Sequence, residues 1–231
     1  MGCAEIYCAA TIIRPNIALT FDLPSYYGRK SAKIKCMIDP MPQSASLQST
    51  SLAPSPWVCR FAELIPAGGD VLDLACGSGR HARYLAERGF RVEAVDRDES
   101  QLSRIAGLPG IETRAADLEG GPWPYFGRQF DGIVVTHYLW RPLMPSLMAC
   151  LAEGGTLIYE TFMLGNERFG KPANPQFLLR PGELLDLMHK RFTVVAFEQG
   201  EVDRPWPAVV QRICACRRRQ VSLPGCGGPG D

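Results

Sequence analysis

Three aspartates, each expected at the end of a strand, are the residues of this sequence best placed to do chemistry. Asp73 lies in the apolar run VLDL, Asp96 directly follows VEAV, and Asp117 directly follows RAA. Ligands of open α/β sheets bind at the carboxyl ends of the strands, so three successive strands would each present one carboxylate to one cleft. Such a cleft suits a ligand with positive charge and several hydrogen-bond donors.

A glycine-rich loop, ACGSGRHA, follows the first of these strands. Gly77 and Gly79 begin a G-x-G-x-x-A pattern, and Asp96 follows about 20 residues later, so the motif alone also fits a dinucleotide-binding fold. A pyrophosphate at a helix start requires donors and positive potential, which the Asp73 carboxylate would oppose. S-adenosylmethionine carries a sulfonium, an ammonium, a ribose diol and an adenine amine but no phosphate. The charge pattern therefore favours S-adenosylmethionine over a dinucleotide.

The elements that must position these residues alternate between strand-sized and helix-sized apolar blocks. This alternation predicts an α/β fold with a parallel sheet and crossover helices. We expect strands at 70–74, 91–95, 113–115, 132–136, 156–162, 192–197 and 208–216, and helices at 56–64, 79–88, 99–105, 143–151 and 181–190. Only a short loop separates the last two strands, which predicts that they pair antiparallel.

The length of 231 residues fits one domain with additional segments. Residues 1–55 lack a clear period and end in a stretch rich in Ser, Pro and Gln, which predicts a disordered leader. Residues 56–217 form the expected domain. The Gly- and Pro-rich residues 218–231 predict a disordered tail.

Composition restricts the partners of the protein. The 25 basic and 24 acidic side chains nearly cancel, so a nucleic-acid partner is not favoured. The sequence predicts no membrane helix and no export signal, and its nine scattered cysteines indicate a reducing cytoplasm. No Cys or His cluster has the spacing of metal ligands, so no metal is expected. We expect a monomer or a homodimer.

Four runs, VLDLACGSGR, EAVDRD, AADLEG and FDGIVVTHYL, resemble motifs I to IV of the class I S-adenosylmethionine-dependent methyltransferases in order and spacing. The resemblance extends over residues 56–217. It implies a doubly wound, Rossmann-like sheet of seven strands, mainly parallel with the last strand antiparallel. The stretches GSGRHARYLAERGF and LLRPGELLDLMHKRFTVVAFEQGEV look most similar to small bacterial methyltransferases of the tellurite-resistance type.

The resemblance implies cofactor contacts at the matching positions. Gly77 and Gly79 would let the backbone approach the methionine moiety and the ribose, and Asp73 would order the loop and the amino group. Asp96 would accept both ribose hydroxyls, and Asp117 would accept the adenine amine. The residues expected at the cofactor are Asp73, Ala75, Cys76, Gly77, Gly79, Asp96, Arg97, Asp117, Leu118 and His137.

Methyl transfer by in-line displacement to a small-molecule acceptor mainly requires positioning and the exclusion of water. An acceptor that must lose a proton requires a base, and His137 and Glu160 are the catalytic candidates because both end strands at the ligand edge. A histidine after a strand is also typical of a structural role, and Glu160 would equally bond nearby backbone. Both interpretations remain open at this point.

The irregular segment 164–180 is too long for a routine connection and is typical of a lid over an active site. The residues expected to contact substrate are Tyr138, Trp140, Asn166, Arg168 and Trp206. Three functions remain open: a methyltransferase for a small molecule, a methyltransferase for RNA or protein, and a non-catalytic S-adenosylmethionine-binding protein.

Overall fold

The structure is a computed structural model that describes residues 53–218, 220 and 221. The predicted leader and tail therefore lie largely outside the described residues. Ser55, the last residue of the predicted leader, is buried and caps the first helix, where its hydroxyl oxygen accepts the Trp57 backbone N–H at 3.1 Å. Arg218, the first residue of the predicted tail, donates to the carbonyl of Leu64 at 2.9 Å. Both residues are thus packed against the domain.

A seven-stranded sheet forms the centre of the described chain, in the order β3-β2-β1-β4-β5-β7-β6. Strands β1 to β5 pair in parallel, and β7 runs antiparallel to both of its neighbours, β5 and β6. This arrangement confirms the predicted fold class. The strands are β1 (Asp70–Leu74), β2 (Arg91–Asp96), β3 (Ile111–Ala115), β4 (Phe130–Thr136), β5 (Leu151–Phe162), β6 (Thr193–Val202) and β7 (Ala208–Cys216).

The α-helices of the described chain occur where the alternation predicts them, but they are shorter. They are α1 (Pro56–Phe61), α2 (Arg80–Ala86), α3 (Glu99–Leu102), α4 (Met144–Ala149) and α5 (Glu183–Met188). Helix α2 begins after Gly79, because that glycine adopts a left-handed conformation with φ of 72°. No described helix has the length and apolar character to cross a membrane.

Two apolar clusters pack on opposite faces of the sheet, as expected for parallel strands covered by helices on both sides. Along β1, Val71 belongs to one cluster, whereas Leu72 and Leu74 belong to the other. Asp73 shares the face of Val71 and is only 1% exposed. A carboxylate thus occupies a position at which the packing pattern calls for an apolar side chain.

The strand order reverses between β1 and β4, which pair with each other at the centre of the sheet. Such a reversal opens a crevice at the carboxyl ends of the strands, because the connections on its two sides turn in opposite directions. The glycine loop leaves β1 at this crevice, and His137 directly follows β4. The fold therefore brings the two segments together at one edge.

Candidate active site

A cleft of about 260 Å³ lies at the carboxyl ends of the first four strands. Six residues predicted to bind the cofactor line it, namely Ala75, Asp96, Arg97, Asp117, Leu118 and His137. For this reason it is called the cofactor cleft. The cleft also contains Ala116 and Glu119, which the sequence reasoning missed. The signal for both was their position beside Asp117 within the motif AADLEG.

The Asp96 side chain joins the end of β2 to the glycine loop. Its Oδ2 accepts the backbone N–H of Gly77 at 2.8 Å, and its Oδ1 accepts that of Asp98 at 3.0 Å. Each carboxylate oxygen has a further lone pair, so two ligand hydroxyls can still donate to it. The cleft thus presents a hydrogen-bond acceptor whose orientation is fixed by the backbone.

The Asp117 carboxylate lies at the exposed end of the cleft, after β3. Its Oδ1 accepts the Glu119 backbone N–H at 3.0 Å. The backbone N–H groups of Glu119 and Gly120 lower the Asp117 pKa, because they stabilise the ionised form. An ionised carboxylate at this position is suited to accept a hydrogen bond from an amine.

The Asp73 side chain lies beneath the glycine loop rather than in the wall of the cleft. Its Oδ2 is buried and has no hydrogen-bond partner among the residues that the structure describes. Burial raises the Asp73 pKa to about 7, although the Ala82 backbone N–H and the charge of Arg80 oppose this shift. An unpartnered buried carboxylate destabilises the fold, and a cationic ligand group nearby would offset that cost.

Two residues of the glycine loop, Gly79 and Cys76, also have a role in packing. A Cβ on Gly79 would lie 2.5 Å from the Ile105 side chain, so this glycine is required by packing and by its positive φ rather than by ligand approach alone. Cys76 does not line the cleft, because its side chain is buried in an apolar cluster. Gly77, in contrast, has φ of 53° and open space where a Cβ would stand.

A second cavity of about 790 Å³ meets the cleft at His137 and is called the acceptor cavity below. Its walls come from residues 53–56, Arg80, His137, Glu160, residues 202–206 and Arg212. Each of these segments comes from a different part of the chain. Of the residues predicted to contact substrate, Trp206 lies in this cavity, with its ring 5.8 Å from the His137 ring.

His137 forms the boundary between the two cavities. Its backbone adopts φ of 55°, its N–H donates to the Glu160 carbonyl at 2.9 Å, and its ring stacks on Phe162 at 4.9 Å. Desolvation, together with the nearby charges of Arg80 and Arg212, lowers the His137 pKa to about 4. The imidazole is therefore neutral at pH 7.

The Glu160 carboxylate lies in the acceptor cavity, but both of its oxygens are engaged. Ser55 Oγ donates to Oε1 at 2.9 Å, and Arg212 Nε lies 2.6 Å from Oε2 in an ion pair whose hydrogen bond is poorly aligned. The Ser55 backbone N–H in turn donates to His81 Nε2 at 3.0 Å. The sequence reasoning missed all three partners of this network, namely Ser55, His81 and Arg212.

Two aromatic residues predicted to contact substrate lie elsewhere. Tyr138, two residues after the end of β4, lines the cofactor cleft and does not line the acceptor cavity. Trp140 packs against an apolar cluster and lines neither cavity. Hydrophobic burial explains Trp140 without any substrate.

Asn166 and Arg168, which were also predicted to contact substrate, connect segment 164–180 to the sheet. Asn166 is 2% exposed, its Oδ1 accepts the Val209 backbone N–H at 3.1 Å, and its Nδ2 donates to the Pro172 carbonyl at 3.4 Å. Arg168 is exposed and pairs with Glu201 of β6. Neither side chain lines the acceptor cavity.

Comparison with known proteins agrees with this geometry. Residues 71–155 match the family model described as a methyltransferase domain. Residues 71–155 thus belong to a methyltransferase domain of the class I, S-adenosylmethionine-dependent type. The matched range begins in β1, includes the glycine loop and all three aspartates, and ends within β5.

A curated relative is the protein-L-isoaspartate O-methyltransferase of Chlorobaculum tepidum, which is 37% identical over 118 residues. These residues cover 46% of this chain and 50% of the relative, so the chain spans about half of that protein. TehB of Haemophilus influenzae shares the fold of this methyltransferase domain with a TM-score of 0.57 and 20% identity, over 68% of this chain and 60% of TehB. A 1,6-didemethyltoxoflavin-N1-methyltransferase of Burkholderia thailandensis gives a TM-score of 0.52 and 20% identity, over 73% and 79% of the two chains.

Proposed function

We propose that this protein transfers a methyl group from S-adenosylmethionine to a small-molecule acceptor. The observation that supports this proposal most strongly is the meeting of the cofactor cleft and the acceptor cavity at one residue, His137. A donor in one cavity and an acceptor in the other would come together at this residue. The 1,6-didemethyltoxoflavin-N1-methyltransferase of Burkholderia thailandensis, whose name gives a small molecule as its substrate, supports the same substrate class.

The residues of the cleft fit S-adenosylmethionine. The unpartnered Oδ2 of Asp73 suits the ammonium, the oriented oxygens of Asp96 suit the ribose hydroxyls, and Asp117 suits the adenine amine. We propose that Arg97 and Leu118, which also line the cleft, pack against the adenine ring. The open space at Gly77 admits a ligand close to the backbone. A dinucleotide would instead bring its pyrophosphate to the glycine loop, where the Asp73 carboxylate would oppose it.

In the proposed mechanism the protein chiefly binds, orients and excludes water. When bound, S-adenosylmethionine supplies a methyl group on a sulfonium, which is already a good leaving group. The neutral His137 imidazole would accept a proton from the acceptor, and it faces both cavities. We propose that Glu160 positions Arg212 and Ser55 and is not the base, because both of its carboxylate oxygens already have a partner. Trp206 would cover the acceptor and limit access of water.

The experiment is a screen for formation of S-adenosylhomocysteine from labelled S-adenosylmethionine, with fractionated small metabolites as acceptors. The wild-type protein is expected to produce labelled product with at least one fraction, and Asp96→Ala is expected to lose this activity through weaker cofactor binding. Arg191→Gln, an exposed change at the opposite edge of the sheet, is the control and should retain activity. Turnover only with tRNA or intact protein would favour the other acceptor classes.

A second candidate is methylation of a protein carboxylate, which the name of the Chlorobaculum tepidum relative suggests. A peptide containing isoaspartate would test it, with the matched aspartate peptide as the control. Methylation of the first peptide alone would favour this candidate. A protein that binds S-adenosylhomocysteine but methylates no acceptor would support the non-catalytic alternative.

We further propose that the protein acts in the cytoplasm without nucleic acid, as a monomer or a homodimer. The five cysteines that the structure describes are all free thiols, which suits a reducing compartment. The near balance of acidic and basic side chains gives no strong positive field for nucleic acid. Sedimentation of the purified protein would measure its oligomeric state.

A further inference from the structure

The Arg80 guanidinium is the unpaired charge of the acceptor cavity. Arg80 follows Gly79 directly, is half-buried, and lines the acceptor cavity but not the cofactor cleft. Among the residues that the structure describes, it makes no hydrogen bond and no ion pair; Glu160 and Asp73 act on it only through longer-range attraction. Burial lowers the Arg80 pKa, because a charged group loses solvation there.

The other charges of the acceptor cavity are compensated. Arg212 Nε lies 2.6 Å from Glu160 Oε2, and Arg212 Nη1 lies 3.7 Å from Glu198 Oε2. His137 is neutral at pH 7 because its pKa is about 4. Asp203 and Arg204, which are neighbours in the chain and both line the cavity, contribute opposite charges. One net positive charge therefore remains, and it resides on Arg80.

We propose that the acceptor is a small carboxylate whose anionic group binds Arg80. This inference rests on the proposed function and names its substrate class. A guanidinium presents paired N–H donors that match the two oxygens of a carboxylate. Trp206 and Pro205 supply an apolar wall for the body of the molecule, and the neutral His137 ring lies 5.8 Å from the Trp206 ring. A cavity of about 790 Å³ has room for such a compound.

The test uses benzoate as the probe and benzamide as its uncharged match, each titrated calorimetrically into the full-length protein with and without saturating S-adenosylhomocysteine. Benzoate is expected to bind at least about tenfold more tightly than benzamide, because only benzoate forms a charge-assisted pair. Arg80→Gln should remove this preference, and Arg80→Lys should retain part of it. Arg191→Gln deletes the same charge far from the cavity and should leave the preference unchanged.

Equal binding of benzoate and benzamide, or no benzoate binding at millimolar concentration, would overturn the proposal. So would a loss of S-adenosylhomocysteine affinity of about tenfold or more in Arg80→Gln, since Arg80 would then hold the carboxylate of the cofactor instead. Thermal unfolding of each variant establishes that it is folded. A wild-type protein that selects benzoate but fails to bind S-adenosylhomocysteine would contradict the proposed function and leave the anion site standing.

Discussion

Arg212 Nε lies 2.6 Å from Glu160 Oε2, and the two residues are direct partners in the antiparallel register of β5 and β7. Both side chains are largely buried, so each charge depends on the other for compensation. The Ser55 hydroxyl donates to the second oxygen of the same carboxylate. The pair thus connects the start of the domain, the fifth strand and the seventh strand at the wall of the acceptor cavity.

Replacing Arg212 with Met should lower the free energy of unfolding by about 3 to 5 kcal/mol, because the buried Glu160 charge loses its partner. Adding Glu160→Gln to that variant should restore part of the loss by removing the uncompensated charge. Urea denaturation of the two single variants and the double variant measures this coupling. Arg91→Met, which breaks an exposed pair with Asp70, is the control and should change little. Additive effects of the first two changes would contradict the account.

Asn166→Ala should lower the free energy of unfolding by about 1 to 3 kcal/mol, because the buried Val209 N–H loses its acceptor. The sequence alone had suggested a direct role in turnover. At a temperature where the variant is folded, we expect Asn166→Ala to change KM for the acceptor less than Trp206→Ala does, because Asn166 does not line the acceptor cavity. Chemical denaturation and steady-state kinetics test the two statements. Arg168→Ala, an exposed change on the same segment, should be nearly neutral.

Asp73→Asn should change how stability depends on pH. The Asp73 pKa rises from 3.8 to about 7 on folding, so the folded state holds this proton longer and wild-type stability falls as pH rises through that range. Asparagine removes the titration, so the difference in unfolding free energy should shift in favour of the variant by about 4 kcal/mol between pH 4 and pH 8. Denaturation without cofactor at several pH values measures this shift. A difference that stays constant with pH would contradict it.

Trp206→Ala should raise KM for the acceptor several-fold and leave S-adenosylhomocysteine affinity within about twofold. Trp206 is 40% exposed and lines only the acceptor cavity, so its loss removes apolar contact there and nothing in the cofactor cleft. Trp140→Phe, a change at a partly buried aromatic residue that lines neither cavity, is the matched control. Weaker S-adenosylhomocysteine binding by Trp206→Ala would mean that Trp206 also contributes to the cofactor site, which would contradict the prediction.

The sequence was sufficient for the sheet and for the strand-end carboxylates. Alternating apolar blocks predicted all seven strands, and Asp96 and Asp117 line the cleft because strand ends of a parallel sheet share one edge. The boundaries were less accurate. Strand β5 begins at Leu151, where a helix was expected to end, because Leu151 pairs with Phe130 of β4 before a shift in register.

The acceptor cavity could not be predicted in the same way. Arg212 reaches Glu160 only through the register of two strands that are distant in sequence, and Ser55 reaches it from the start of the domain. Asn166 was expected to contact substrate because its loop is long and polar, but its side chain satisfies a backbone N–H of β7. A local pattern shows which residues are polar, whereas the fold determines which partner each of them meets.

The most direct measurement of the central claim is calorimetric titration of the full-length protein with S-adenosylhomocysteine and, separately, with NAD. The Asp96 and Asp117 carboxylates of the cleft and the buried Asp73 carboxylate at the glycine loop predict binding of one S-adenosylhomocysteine per chain and no detectable binding of NAD. They also predict at least about tenfold weaker binding of S-adenosylhomocysteine by Asp96→Ala. Binding of NAD without binding of S-adenosylhomocysteine would contradict the account.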